Sequence, residues 1–154
     1  VGEKPDIPDY KALPPSRDGE LKTFEGYYRL EDNPIGLTSL QIATKPYGVA
    51  LLLGDGRRQQ RVPAGNGFFL QGAYEAKYRK PKLLGLMSPR KAELIRVASC
   101  CRAEGGELKV LCRHLNSPHT ETIHITAAEG KLKVFFEMED RLVPEASRLT
   151  GTAC

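Results

Sequence analysis

The chain has 154 residues, 40% of them hydrophobic, and a formal net charge of +4. A chain of this length fits one domain, which buries roughly 70% of its extended-chain surface and can be stable without a metal or a disulfide. The modest charge does not by itself favour a nucleic-acid partner, and no apolar run is long enough to span a bilayer.

The N-terminal segment, residues 1–22, combines charged residues with few large apolar ones and contains Pro5, Pro8, Pro14 and Pro15. This composition predicts an extended tether or an arm on the surface, with little effect on stability. The chain begins at Val1 without Met, so we expect a processed or trimmed N-terminus. A tether ahead of a compact domain favours an extracytoplasmic protein, that is, one that is secreted, periplasmic or surface-tethered. A linker from an upstream domain is the alternative.

Short strand-like runs separated by turn residues make up residues 23–141, the predicted β-barrel domain. In chain order they are 23–30, 37–44, 47–53, 57–62, 67–71, 82–87, 93–102, 107–115, 119–126 and 131–138. The pattern is weakest over 73–92, where a helical turn is an alternative to the strand. Residues 142–154 are predicted to form a C-terminal tail that allows one helical turn.

The last four runs alternate apolar and polar residues between tight turns, which is typical of an antiparallel β-meander. No helical stripe of 12 or more residues is present. We therefore predict an all-β fold in which an antiparallel up-and-down meander closes into a barrel, which also removes exposed sheet edges. A β-sandwich is the alternative.

Three residues connect this pattern to a known family. Gly26 and Tyr28 lie on the first strand and Arg141 follows the last strand of the meander. The arrangement resembles the lipocalin/calycin group, in which a Gly-x-Trp on the first strand packs near an Arg after the last one. Tyr28 stands where that group has Trp. The resemblance implies a cup-shaped barrel that binds a small apolar ligand and performs no catalysis.

The meander can be paired from its apolar pattern alone, because a shift of one residue would move every side chain to the other face. Around the loop 115–118, the predicted opposed pairs are Leu108 with Ile125, Val110 with Ile123, Cys112 with Glu121, and His114 with His119. Around the loop 127–130, they are Ile125 with Leu132, Ile123 with Val134, and Glu121 with Phe136.

This pairing places Cys112, His114, His119 and Glu121 at the polar end of one sheet face, with His124 on the opposite face. His, Cys and Glu are zinc-ligand types, so a metal site or an acid–base pair is one interpretation. A solvated barrel rim is the simpler one, and we expect no metal and no catalytic residue there. The predicted ligand-binding residues are Arg57, Arg58, Arg61, His114, His119 and Glu121.

A second basic feature lies in residues 77–91, whose cations are Lys77, Arg79, Lys80, Lys82, Arg90 and Lys91. It is consistent with an anion-binding surface or with a solvated loop. The cysteines form no CxxC pair. Cys100 and Cys101 are adjacent in a strand, so only one of them is expected to face the core. Free buried thiols or a diagonal Cys101–Cys112 disulfide are the two interpretations.

These observations favour a non-catalytic binding module, because no GxSxG, HExxH, P-loop or GxGxxG motif is present. Its ligand would be small and apolar, or amphiphilic with an anionic head near the arginines, and no cofactor is expected. The alternatives are an envelope-associated domain with a protein partner, a metal-dependent enzyme and a nucleic-acid binder. An internal cavity would favour the carrier, whereas a filled interior with an exposed apolar patch would favour the protein-interaction domain.

Overall fold

The structure is a computed structural model of the chain, and it describes residues 12–33, 36–57, 59–75, 94–115, 120–138 and 148–154. In these residues a short helix, α1 (Asp18–Lys22), precedes ten strands. The strands are β1 (Gly26–Leu30), β2 (Ser39–Lys45), β3 (Gly48–Gly54), β4 (Gln59–Asn66), β5 (Leu70–Glu75), β6 (Leu94–Glu104), β7 (Glu107–His114), β8 (Thr120–Ala128), β9 (Lys131–Met138) and β10 (Arg148–Ala153). The predicted strand at 82–87, Arg58, His119 and the basic segment 77–91 lie outside the described residues.

The strands form a closed, mostly antiparallel barrel, as predicted, and not a sandwich. Nine strands close it in the order β4-β3-β2-β1-β10-β9-β8-β7-β6. The ring is completed by a short parallel pairing of β4 with β6, at Gly65 with Cys100 and Asn66 with Cys101. Strand β5 pairs with the other side of β6 and lies outside this ring. In the part of the chain that the structure describes, no helix is long and apolar enough to cross a membrane.

The two ends of the barrel differ. Strands β1, β3, β5, β7 and β9 all terminate at one end, which we call the polar end because His114 lies there. The opposite end, where β1 begins, carries α1 and is called the helix end. Leu21 of α1 and Phe24 after it are 2% and 3% exposed and belong to the barrel core. The helix end is therefore covered by apolar side chains from the segment that precedes β1.

The barrel interior is built from alternate residues of each strand, as the period of two requires. The face predicted for the meander is confirmed, since its apolar members are all buried; these are Leu108, Val110, Ile123, Ile125, Leu132, Val134 and Phe136. Strands β2 and β3 supply large buried side chains from the other side of the barrel, including Leu40, Ile42 and Leu51.

The predicted register of the β7–β8 hairpin is correct, and that of β8–β9 is shifted by two residues. Leu108 pairs with Ile125 and Cys112 with Glu121, as expected. In the next hairpin, Ile125 pairs with Val134 and Glu121 with Met138. The hairpin turn is only two residues long, because Glu129 and Gly130 both adopt positive φ angles of 53° and 75°. Such a turn lets β8 continue to Ala128, two residues into the predicted loop 127–130, while β9 begins at Lys131 as predicted.

The C-terminal tail prediction is wrong for its last residues, because 148–153 form strand β10. This strand lies between β1 and β9, with Leu149 opposite Val134 and Tyr28 opposite Ala153. Its sequence, RLTGTA, has one large apolar residue and gives no alternation to detect. The strand forms because two neighbouring edges, β1 and β9, both supply backbone partners.

Residues 12–22 are an arm that packs on the barrel, so we now expect these residues to contribute to stability, whereas the sequence predicted little contribution from all of 1–22. Asn66 Oδ1 accepts hydrogen bonds from Ser16 N–H at 2.8 Å and from Ser16 Oγ at 2.9 Å, and Asn66 Nδ2 donates to Ser16 O at 2.8 Å. Arg102 Nη1 donates to Pro14 O at 3.1 Å. Helix α1 has five residues and no side-chain N-cap, so packing rather than propensity holds it.

The arm also explains why both neighbouring cysteines are buried although only one of them, as predicted, faces the core. Cys101 faces the core, and Cys100, on the outer face, is 0% exposed and accepts a hydrogen bond from Leu13 N–H at 3.4 Å. None of the four cysteines takes part in a disulfide, so the Cys101–Cys112 disulfide is not formed. Burial raises the pKa of the Cys100 thiol and raises that of Cys101 to about 12.

This arrangement predicts selective thiol chemistry. Brief treatment of the native protein with iodoacetamide near pH 8 should modify the exposed Cys154 and leave Cys100, Cys101 and Cys112 unmodified, because those three thiols are buried. Peptide mass spectrometry reads out the sites, and a Cys154→Ser variant should take up no label until it is unfolded. Rapid labelling of Cys100 in native protein would show that the arm does not cover it.

Candidate functional site

Four chemically active side chains meet inside the barrel near its polar end. Ser99 on β6, Cys112 on β7 and Glu121 on β8 are directly opposed across three adjacent strands. His114 lies two residues beyond Cys112 and therefore on the same face. We call Ser99, Cys112, His114 and Glu121 the inner polar cluster. Their strands are the meander strands with the clearest alternation, which places all four on the core side.

The cluster is almost inaccessible to bulk solvent. Ser99 is 0% exposed, Cys112 and Glu121 are 1% exposed, and the His114 side chain is 5% exposed. His114 Nε2 lies 3.9 Å from Glu121 Oε2. An imidazole and a carboxylate at this distance attract each other when the imidazole is protonated, and the attraction is stronger in a buried site than in water. Ser99 Oγ is buried and has no hydrogen-bond partner among the described residues.

The apolar part of the interior is filled. Its cavity measures about 10 Å³ and is lined by ten aliphatic and aromatic side chains, including Leu30, Leu51, Ile123 and Phe136. A volume of about 10–15 Å³ is the least that holds one water molecule. This apolar cavity therefore has no space for a ligand of the size of a fatty acid.

The structure separates the predicted arginines from one another. Arg57 is exposed in the β3–β4 turn, at the same end as the inner polar cluster, and its backbone N–H donates to Asp55 Oδ1 at 2.9 Å. Arg61 is exposed on the outer face of β4, and its Nη2 donates to the Tyr47 hydroxyl at 2.8 Å. Because Tyr47 lies in the β2–β3 turn at the helix end, Arg61 points away from the predicted site.

His124 lies on the outer surface of the barrel, as predicted, and takes no part in the inner polar cluster. Its Nδ1 is 2.7 Å from Glu107 Oε1, and its Nε2 is 3.5 Å from Glu137 Oε2. The ring also packs against Phe135, with the two ring centroids 5.7 Å apart. His114 and His124 are thus a matched pair, one inside and one outside the same sheet.

The described residues give the metal-site interpretation no geometric support. Across residues 12–33, 36–57, 59–75, 94–115, 120–138 and 148–154, no three His, Cys, Asp or Glu side chains are grouped so that they could hold a metal ion. Cys112, His114 and Glu121 share a face without forming such a group. His119, the fourth residue of the predicted set, is outside the described part of the chain.

Ser99 is the member of the cluster that the sequence prediction missed. The sequence does contain a pattern that predicts its position, because Val97, Ser99, Cys101 and Ala103 alternate with outward-facing residues along β6. Gly105 and Gly106 both have positive φ angles and form a two-residue turn between Glu104 and Glu107. Counting back from this Gly-Gly turn places Ser99 opposite Cys112.

The barrel therefore encloses two chemically different regions, an apolar interior and a buried polar cluster near one end. Comparison with known proteins adds no family to this description. The sequence matches no protein-family model, and it has no significant match among curated proteins.

Proposed function

We propose that the protein is a non-catalytic binding module that holds the polar group of a small ligand against the inner polar cluster. The observation that carries this proposal is the burial of Ser99, Cys112, His114 and Glu121 on the core side of the barrel. Removing polar and ionisable groups from water costs free energy unless they gain partners. A buried hydroxyl without a partner among the described residues, such as Ser99 Oγ, calls for a specific explanation.

The position of the cluster supports access from the polar end. The helix end is covered by Leu21 and Phe24, so a ligand would approach the cluster from the polar end, where β5 and β9 end and β6 and β10 begin. Because the apolar interior is filled, the ligand would place its polar group at the cluster and its apolar part towards the polar end.

The chemistry of the cluster favours a ligand with a hydrogen-bonding group, because the Ser99 hydroxyl can donate or accept and has no partner among the described residues. An amine, amide or hydroxyl on an otherwise apolar small molecule would complement this hydroxyl. Arg57 lies at the same end and would serve as an additional contact for an anionic substituent.

The protein-interaction alternative has weaker support. In the described residues, the exposed large hydrophobic side chains are Tyr27, Phe68 and Leu115. Tyr27 and Phe68 are separated by intervening strands, and Leu115 follows β7 at the polar end. They form no continuous apolar patch, and such a patch is what a sheet-surface interface requires.

For the barrel itself we propose kinship with the lipocalin/calycin group. In support, Gly26 and Tyr28 lie on β1, and the buried Tyr28 hydroxyl donates to Phe24 O at 3.1 Å, which links the strand to the covered helix end. The nine-stranded ring and its parallel β4–β6 closure depart from the eight antiparallel strands of lipocalins. Arg141, the third matching position, lies outside the described residues.

Fluorescence titration with N-phenyl-1-naphthylamine tests the binding proposal, because this probe is apolar and carries one N–H donor. We expect saturable one-site binding to the parent and to His124→Ala. Binding to His114→Ala should be at least about tenfold weaker, which corresponds to about 1.4 kcal/mol. Thermal unfolding verifies that both variants are folded. Non-saturable binding, or equal weakening by the two substitutions, would contradict the proposal.

Metal content provides an independent check on the same site. Elemental analysis of protein purified without a His tag should show no stoichiometric zinc, either in the parent or in a variant with His114 and His119 both changed to Ala. Near-stoichiometric zinc that disappears in the double variant would replace the binding-module proposal with the metal-site alternative.

A further inference from the structure

A second recess lies at the helix end, on the opposite side of the barrel from the inner polar cluster. This helix-end cleft has a volume of about 490 Å³ and is lined by α1, by the β2–β3 turn and by the end of β4. Its polar lining residues are Lys22, Glu25, Thr44, Lys45 and Asn66, and Pro46 contributes exposed apolar surface. Cavities of about 300–1,000 Å³ with a few polar groups are typical of small-molecule sites.

The walls of the cleft are held in place by hydrogen bonds, which occupy some of its polar groups. Thr44 N–H donates to Glu25 Oε1 at 3.2 Å, which joins the segment after α1 to the end of β2. The amide of Asn66 is engaged by Ser16. Leu21 anchors α1 in the core. The cleft is therefore built from elements that are fixed relative to one another, and Asn66 serves as a wall residue.

The polar groups of the cleft that remain available to a ligand are two ammonium groups and one hydroxyl. Lys22 and Lys45 are both exposed, and neither forms an ion pair with a described residue. Thr44 Oγ1 is buried and has no hydrogen-bond partner in the described part of the chain. A ligand oxygen would supply that partner, and two ammonium groups would neutralise a negative charge beside it.

We propose that the helix-end cleft binds a small molecule through its carboxylate, with Lys22 and Lys45 as counter-charges, Thr44 as a hydrogen-bond donor, and Pro46 against the apolar part. Glu25 sets the specificity, because its carboxylate disfavours ligands with more than one negative charge. The site is independent of the inner polar cluster, since the two lie at opposite ends of the barrel.

Nuclear magnetic resonance titration of the full chain with benzoate, and with neutral benzamide at the same ionic strength, tests this assignment. Benzoate should cause saturable shifts of the backbone amides of Lys22, Thr44, Lys45 and Gly48, and benzamide should cause much smaller ones. The double variant Lys22→Gln, Lys45→Gln should bind benzoate about tenfold more weakly. Lys133→Gln, which removes an exposed lysine from the outer face of β9, should bind like the parent.

Two further variants test the roles of Thr44 and Glu25. Thr44→Val should weaken benzoate binding without affecting the amide spectrum elsewhere. Glu25→Gln should tighten binding several-fold, because it removes the like charge and keeps an acceptor for Thr44 N–H. The proposal is overturned if benzoate shifts stay linear to high concentration, if benzamide binds equally well, or if Glu25→Gln abolishes binding.

Discussion

A chain that begins at residue 23 should be less stable than the full chain by at least about 3 kcal/mol. Removing a buried leucine such as Leu21 costs about 2–5 kcal/mol, and each lost hydrogen bond of Ser16 adds about 0.5–1.5 kcal/mol. For a domain of this size, each kcal/mol lowers the melting temperature by about 2–4 °C. Differential scanning calorimetry should therefore record a fall of at least about 6 °C.

The matched control is a chain that begins at residue 12, which keeps the arm. The sequence prediction of little effect on stability covered residues 1–22, and we keep it for residues 1–11. Equal melting temperatures for the chains that begin at 12 and 23 would show that the arm is not part of the fold. An intermediate test is Asn66→Ala, which removes the amide that Ser16 contacts and keeps Leu21 in place.

Replacement of Ile123 by Ala should cost about 2–5 kcal/mol of unfolding free energy, because the side chain is 4% exposed and faces the barrel core. The control is Thr126→Ala on the same strand, which is exposed on the outer face and should change stability by less than about 0.5 kcal/mol. Urea unfolding measures both. A loss below about 0.5 kcal/mol for Ile123→Ala would mean that β8 presents its other face to the interior.

The two proposed binding sites lie at opposite ends of the barrel, so the experiments on them can succeed or fail independently. Loss of N-phenyl-1-naphthylamine binding in His114→Ala concerns the polar end alone, whereas benzoate binding depends on Lys22 and Lys45 at the helix end. Binding at one end with none at the other would identify which recess the protein uses. Binding at both would describe a barrel with two ligand sites of different charge preference.

The amino-acid sequence by itself determined the local features of the barrel. Strand alternation and short turns located the four meander strands, and the apolar pattern determined the β7–β8 register, which placed Cys112 opposite Glu121. The same alternation placed His114 on the inner face of the barrel and His124 on its outer face. These properties depend on neighbours a few residues apart, so the period of two and the turn residues were enough to predict them.

Only the tertiary structure decided which distant segments meet. Strand β10 has little intrinsic pattern, and it forms because β1 and β9 leave edges to be paired. The arm reaches Asn66 and Cys100 across 50 and 87 residues of sequence, respectively, and so buries a thiol that lies on the outer face of β6. The filling of the interior likewise follows from barrel closure, since it depends on side chains from strands far apart in the chain.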